Sequence, residues 1–286
     1  MRNNEKRTGQ SGAVRPESPA AALAAEQSQG LSFVTPTEFV ELPSRGELYP
    51  EDHPLHGKPV IEVKYMTARE EDILTSEALL KQGLALERLL SSIILDKNID
   101  PESLLSGDRN AILISARQSG YGSLYETKIT CPSCSNTANH PFNLEEKSMS
   151  LGCLDQDALR EKNVSLEDGV LHALLPKSGV SVGFRLLTGK DENDLASQAK
   201  QRKSKGQHSV ITDQLIKIIT SINGDQDKFK IRQFVLSMPI ADSKHIRKLH
   251  REMTPNVDLT QMYGCGHCGH TLDMEVPFNT EFFWPE

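Results

Sequence analysis

Four of the five cysteines fall in two C-x-x-C pairs, Cys131 and Cys134 in "CPSC" and Cys265 and Cys268 in "CGHC". A thiolate pair at this spacing sets two soft ligands on one tight turn, half of a tetrahedral structural zinc site. Each pair is incomplete alone, so the simplest full ligand set is Cys131, Cys134, Cys265 and Cys268 around one Zn2+ ion per chain. Four thiolates leave no open coordination position, which makes such a site structural and not catalytic. Gly264, Gly266 and Gly269 suit the tight backbone of a knuckle. One rival is two separate sites, Cys131 and Cys134 with His140, and Cys265 and Cys268 with His267 or His270; each would need further ligands that the sequence does not offer. Redox dithiols lack a preceding thioredoxin-like βαβ context, and unliganded structural cysteines are the remaining reading. Cys153, in "LGCLDQ", reads as an ordinary apolar residue. No nucleophile–base arrangement, P-loop or HExxH motif occurs, so the chain reads as non-enzymatic.

The elements that must carry the knuckles follow from periodicity and caps. "VIEVKY" alternates through Ile61, Val63 and Tyr65 as a half-buried strand. Thr67 with Glu70 forms a capping box for a helix through Ile73, Leu74 and Leu80 that ends near Gly83. "LALERLLSSIIL" is a second amphipathic helix, and Asp108 is expected to cap a third, "RNAILISARQSG", before the strand "YGSLYETKIT" enters "CPSC". The segment "SVGFRLLTGKDENDLAS" repeats this opening at a constant offset: Ile61 falls on Val182, Val63 on Phe184, Lys64 on Arg185, Thr67 on Thr188 and Glu70 on Asp191. After insertions the register resumes, with Leu89 on Leu215 and Ile93 on Ile219. It then aligns Asp108 with Asp242, Ile112 with Ile246, Arg117 with Arg251, and both Cys131 and Cys134 with Cys265 and Cys268. "PFN" at Pro141–Asn143 recurs as "PFN" at Pro277–Asn279.

This pattern predicts an α+β fold of two internally duplicated strand-helix-helix-helix-strand units, each ending in a CxxC knuckle, joined as a split zinc ribbon. The expected divisions are a disordered tail over 1–30, a Pro/Gly-rich entry segment over 31–57, a first unit over 58–150, a linker with a short helix over 151–177, and a second unit over 178–286. The tail has too few large apolar residues to offset the entropy of ordering.

Charge and hydropathy bound the function. The chain carries 32 basic against 39 acidic residues, a net charge of −7, which argues against broad binding to nucleic acid or anionic membrane. No apolar run is long enough to span a bilayer, and no secretory h-region opens the sequence, so an intracellular location is expected. Two basic stretches, "AKQRKSKGQH" with Lys200, Arg202, Lys203 and Lys205, and "KHIRKLHRE" at Lys244–Glu252, read as solvated surface. They lack the aromatic interleaving of a base-stacking surface. Joined into one patch, they would instead support the alternative of a zinc-ribbon nucleic-acid-binding regulatory protein. Phe282, Phe283 and Trp284 are expected to dock into their own domain.

The stretches "LPSRGELYP", "EVKYMTAREEDILTS", "GDRNAILISARQSGYGSLYETKITCPSC" and "FNLEE" resemble the baseplate hub subunit family of T4-like contractile-tailed bacteriophages. The resemblance is strong from Leu42 to Glu146 and looser to the end. It implies a structural or assembly component of the tail baseplate hub, with other baseplate and tail hub proteins as partners. It also implies synthesis in the host cytoplasm and a place in the virion tail, and it supplies no catalytic residues.

Overall fold

The computed structural model describes residues 35–203, 209–277 and 280–283. The expected tail over 1–30, Lys205, Phe278, Asn279 and Trp284 lie outside the described residues. The chain is mixed α and β. Strand β1 (Thr37–Glu41) pairs antiparallel with β2 (Val60–Lys64). Helices α1 (Ala68–Thr75), α2 (Glu77–Gln82) and α3 (Ala85–Ile93) follow. The single helix expected up to Gly83 is interrupted at Ser76, whose backbone is extended, and it closes at Gly83 in the left-handed region, φ 78°. Helix α3 buries Ala85, Leu89, Leu90 and Ile93, a stripe at helical spacing. Burying each of its larger apolar residues contributes about 1.5–3 kcal/mol.

Helix α4 (Ser106–Tyr121) is buried on nearly every side and leads into the hairpin of β3 (Leu124–Thr130) and β4 (Thr137–Asn143). Strand β3 alternates strictly, with Tyr125, Thr127 and Ile129 facing in. Asp108 does not cap α4 as expected. The helix begins two residues earlier, and the Asp108 carboxylate, inside its first turn, accepts Ser44 N (2.9 Å), Ser44 Oγ (2.5 Å) and Tyr49 Oη (2.8 Å). It therefore anchors the turn that follows β1. Gly107 lets α4 approach the segment after the last long helix, since a Cβ there would stand 1.8 Å from the Pro255 carbonyl oxygen.

Residues 151–177, expected to join two units, carry more than a short helix. Helix α5 (Gln156–Lys162) is followed by β6 (Val164–Glu167) and β7 (Val170–Leu174). These strands join β8 (Ser181–Phe184) and β9 (Ile219–Ile222) in one antiparallel sheet of order β6-β7-β8-β9. Between β8 and β9 lie α6 (Gly189–Lys203) and α7 (Val210–Ile218). The start of the stretch read as a basic loop is thus helical, and Arg202 pairs with Asp213 at 2.6 Å. Then come α8 (Lys228–Ser237) and α9 (Ile240–Met253). A short β10 (Asn256–Asp258) pairs with β5 (Ser148–Ser150), and the hairpin of β11 (Thr260–Gly264) and β12 (Thr271–Glu275) completes the sheets.

A large core runs from β1 and β2 through α3, α4 and both hairpins to Phe282 and Phe283; it also takes in Phe184, Leu249 and Met253. A smaller one gathers Val182, Leu215, Ile218, Ile231, Val235 and Ile246 under α7, α8 and α9. Phe282 and Phe283 are buried as expected, and Arg117 Nε donates to the Phe282 carbonyl at 2.7 Å. Arg251, aligned with Arg117 in the sequence, is exposed instead. Among the described residues no helix is long and apolar enough to cross a membrane.

Candidate metal centre

Each C-x-x-C pair sits at the turn of a hairpin. In the first, Cys131 N donates to Asn136 O (2.9 Å) and Ser135 N to Cys131 O (2.9 Å), with Ser135 in the left-handed region at φ 57°. In the second, Cys265 N donates to His270 O (2.9 Å) and Gly269 N to Cys265 O (2.9 Å), with Gly269 at φ 69°. The two turns use the same hydrogen bonds at the same positions. A left-handed residue after the second cysteine lets the chain fold back, so that both thiols of a pair face the same way.

The hairpins bring the thiols together crosswise. Cys131 Sγ lies 3.8 Å from Cys268 Sγ, and Cys134 Sγ lies 3.8 Å from Cys265 Sγ. All four sulfur atoms fall within 4.8 Å of one another. A tetrahedron of thiolates at the zinc–sulfur bond length has an edge of about 3.8 Å, so the donor set and its spacing fit such an ion. A disulfide would need a sulfur separation of about 2 Å, and the cysteines are free.

Without a cation the clustered thiols compete for negative charge. The backbone N–H groups of Cys268 and His267 pull the Cys265 thiol down to about 6. Cys134 receives the Asn136 N–H, yet loss of solvent and the sulfurs of Cys268, Cys131 and Cys265 push it up to about 12. Four sulfurs at this range cannot all ionise beside one another without a cation among them. The cluster is graded in exposure: Cys131 and Cys265 are buried, Cys134 is intermediate and Cys268 is exposed.

The histidines stand apart from the sulfurs. His267 and His270 are exposed, and His140 packs edge-on against Phe142 and Tyr263, with ring centroids 4.7 and 5.0 Å away. No other group of three or more ligating side chains gathers among the described residues. Cys153 is fully buried in the apolar core, where burial raises its thiol to about 12. Sequence reasoning missed the clamp between the hairpins. Gln261 accepts Asn143 N through Oε1 (3.1 Å) and donates to Asn143 O through Nε2 (2.7 Å). Only the tertiary fold brings that amide to the exposed edge of β4, so no local pattern signals it.

No curated protein and no solved structure gives a match. The family model of the T4 bacteriophage base plate protein matches residues 36–284, which takes in both hairpins and all four clustered cysteines. A match over nearly all of the chain makes it a member of the T4 bacteriophage base plate protein family.

Proposed function

We propose that the chain is a non-enzymatic structural or assembly component of the phage tail baseplate hub, built from two duplicated units stapled by one structural zinc. The family match over residues 36–284 supports the baseplate part of this reading. Cys131, Cys134, Cys265 and Cys268 would hold the ion, and their union across two distant hairpins would turn metal-binding free energy into folding free energy.

Recurrent hydrogen bonding supports the duplication. Lys64, Thr67 and Glu70 form one constellation, with Glu70 Oε1 accepting Lys64 Nζ at 2.7 Å and Oε2 accepting Thr67 N at 2.9 Å. Arg185, Thr188 and Asp191 form its counterpart, with Asp191 Oδ2 accepting Arg185 Nη1 at 2.6 Å and Thr188 N at 3.1 Å. Asp242, like Asp108, accepts backbone donors from the turn after a strand, Lys177 N at 2.8 Å and Ser178 N at 2.9 Å. With the two matching knuckles, these contacts recur in the same order along both halves, whereas β5, α5 and β6 have no counterpart.

The partners are other baseplate and tail hub proteins, met in the host cytoplasm during assembly. Quantitative mass spectrometry of purified virions tests the assignment. A fixed low copy number matched to the tail's symmetry is expected of a built-in part. Abundance in infected cells with absence from virions would make the chain an assembly factor, and absence from both tails and tail intermediates would overturn the reading.

A further inference from the structure

A cleft of about 880 Å³ lies well away in sequence from the cysteines. On one side are the 47–56 loop and the turn at Pro101–Ser103; on the other are the β6–β7 turn and the start of α6. Its volume falls in the range of about 300–1,000 Å³ typical of ligand pockets. Its floor is apolar, with Leu105 and Leu186 buried and Leu48 partly so.

The rim is acidic. Glu47, Glu51, Asp100, Glu102 and Asp168 all line it, and none of them makes an ion pair among the described residues. Two cations face them, Arg185 and Lys190, and the Arg185 guanidinium is already engaged by Asp191 at 2.6 Å. The nearby Glu87 carboxyl is raised by burial and then by Glu102, with Arg109 and Arg88 opposing the rise.

The polar groups inside are not set up for chemistry. Leu55 N donates to His53 Nδ1 (3.1 Å), which leaves the proton of the neutral ring on Nε2, facing Ser103 Oγ at 2.8 Å. Ser103 Oγ in turn donates to the Asp100 carbonyl at 2.6 Å. His53 therefore donates to the hydroxyl and does not act as its base.

We infer that this cleft is a docking site for an extended segment, rich in arginine or lysine and carrying an aliphatic side chain, from a neighbouring tail protein. The aliphatic group packs on Leu48, Leu105 and Leu186, while the cations meet carboxylates that make no ion pair among the described residues. Opposite charge across the rim speeds encounter and fixes register, and salt screens it. The inference rests on the baseplate reading, which supplies the neighbour.

The test uses the full chain and a fluorescein-labelled hexapeptide of alternating arginine and leucine, with a glutamate-for-arginine peptide as control. Glu47→Lys, Glu51→Lys and Asp168→Asn are combined in one variant; all three positions are exposed, and Asn tolerates the left-handed backbone at Asp168, φ 47°. Asp72→Lys, Asp273→Lys and Glu275→Gln make an equal charge change at exposed sites outside the cleft. The arginine peptide is expected to bind the unaltered chain at least about tenfold more tightly than the glutamate peptide at low salt, and the cleft variant to lose about that factor while the outside variant keeps its affinity. Equal weakening in both variants, or equal binding of both peptides, would overturn the inference. The two readings fail separately. A chain absent from tails would remove the neighbour without changing this titration, whereas equal weakening would remove the cleft and leave the tail assignment intact.

Discussion

Replacing Glu70 with Gln should destabilise the fold in a way that fades with acid. The Glu70 side chain is fully buried and accepts four donors: Lys64 Nζ (2.7 Å), Ser92 Oγ (2.5 Å), Thr67 N (2.9 Å) and Thr67 Oγ1 (2.6 Å). Burial alone would raise its pKa, but Lys64, Ser92 and Thr67 outweigh burial and hold it at about 2, down from 4.5. That depression corresponds to about 3 kcal/mol in favour of the ionised group. Lys64 remains 21% exposed, so solvent screens part of the pair. The expected loss for Glu70→Gln, which leaves no cavity, is therefore about 2–3 kcal/mol at neutral pH. A depressed carboxylate contributes its stability above its unfolded value and loses it as the pH falls through the folded one. The difference between wild type and variant should accordingly shrink between pH 4.5 and about 2. Urea unfolding of both proteins across that range, at fixed metal concentration, measures it. A difference below about 0.5 kcal/mol at pH 7 would refute the reasoning, as would one undiminished near pH 2.

Asp191→Asn should behave as Glu70→Gln does, because Arg185, Thr188 and Lys217 likewise hold the Asp191 carboxyl far below its usual range; a much smaller loss in urea unfolding would separate the two constellations. Gly107→Ala should cost about 1–3 kcal/mol or more, since helix α4 must retreat from the Pro255 carbonyl; an unchanged melting temperature would contradict that close approach. His250 is pulled down to about 4 by burial and by Arg185, and its Nε2 is buried with no hydrogen-bond partner among the described residues. The unfolded chain then binds the extra proton first, so wild-type stability should fall as the pH drops from 6.5 towards 4, by up to about 3 kcal/mol. His250→Phe should lack that part of the slope, which chemical denaturation at a series of pH values would reveal.

Much of the cysteine centre could be read from the chain because spacing constrains it strongly. Two C-x-x-C pairs at the same offset as the Asp108–Asp242, Ile112–Ile246 and Arg117–Arg251 matches already pair the two knuckles, and the sulfur distances follow from two like turns facing each other. The strand at Val60–Lys64 and the capping box at Thr67 were equally legible, since both are local patterns. Asp108 misled because an aspartate before a helical run resembles a cap, whereas its donors come from a turn distant in sequence. β9 was missed because four residues after a helix carry too little periodicity to be told from the helix's own end. The β5–β10 pair is longer-range still, joining three-residue strands that no local signal marks. Arg117 and Arg251 occupy matching positions by type, but among the described residues only Arg117 of the two donates to carbonyls, those of Gly122, Leu124 and Phe282.

The most direct test of a zinc shared between the two hairpins is metal content per chain, measured by native mass spectrometry with elemental analysis on the full protein and on Cys131→Ser and Cys265→Ser. One zinc per chain in the unaltered protein, absent from both variants, is the predicted result. Two ions per chain, iron in place of zinc, or one ion retained by either variant would contradict it.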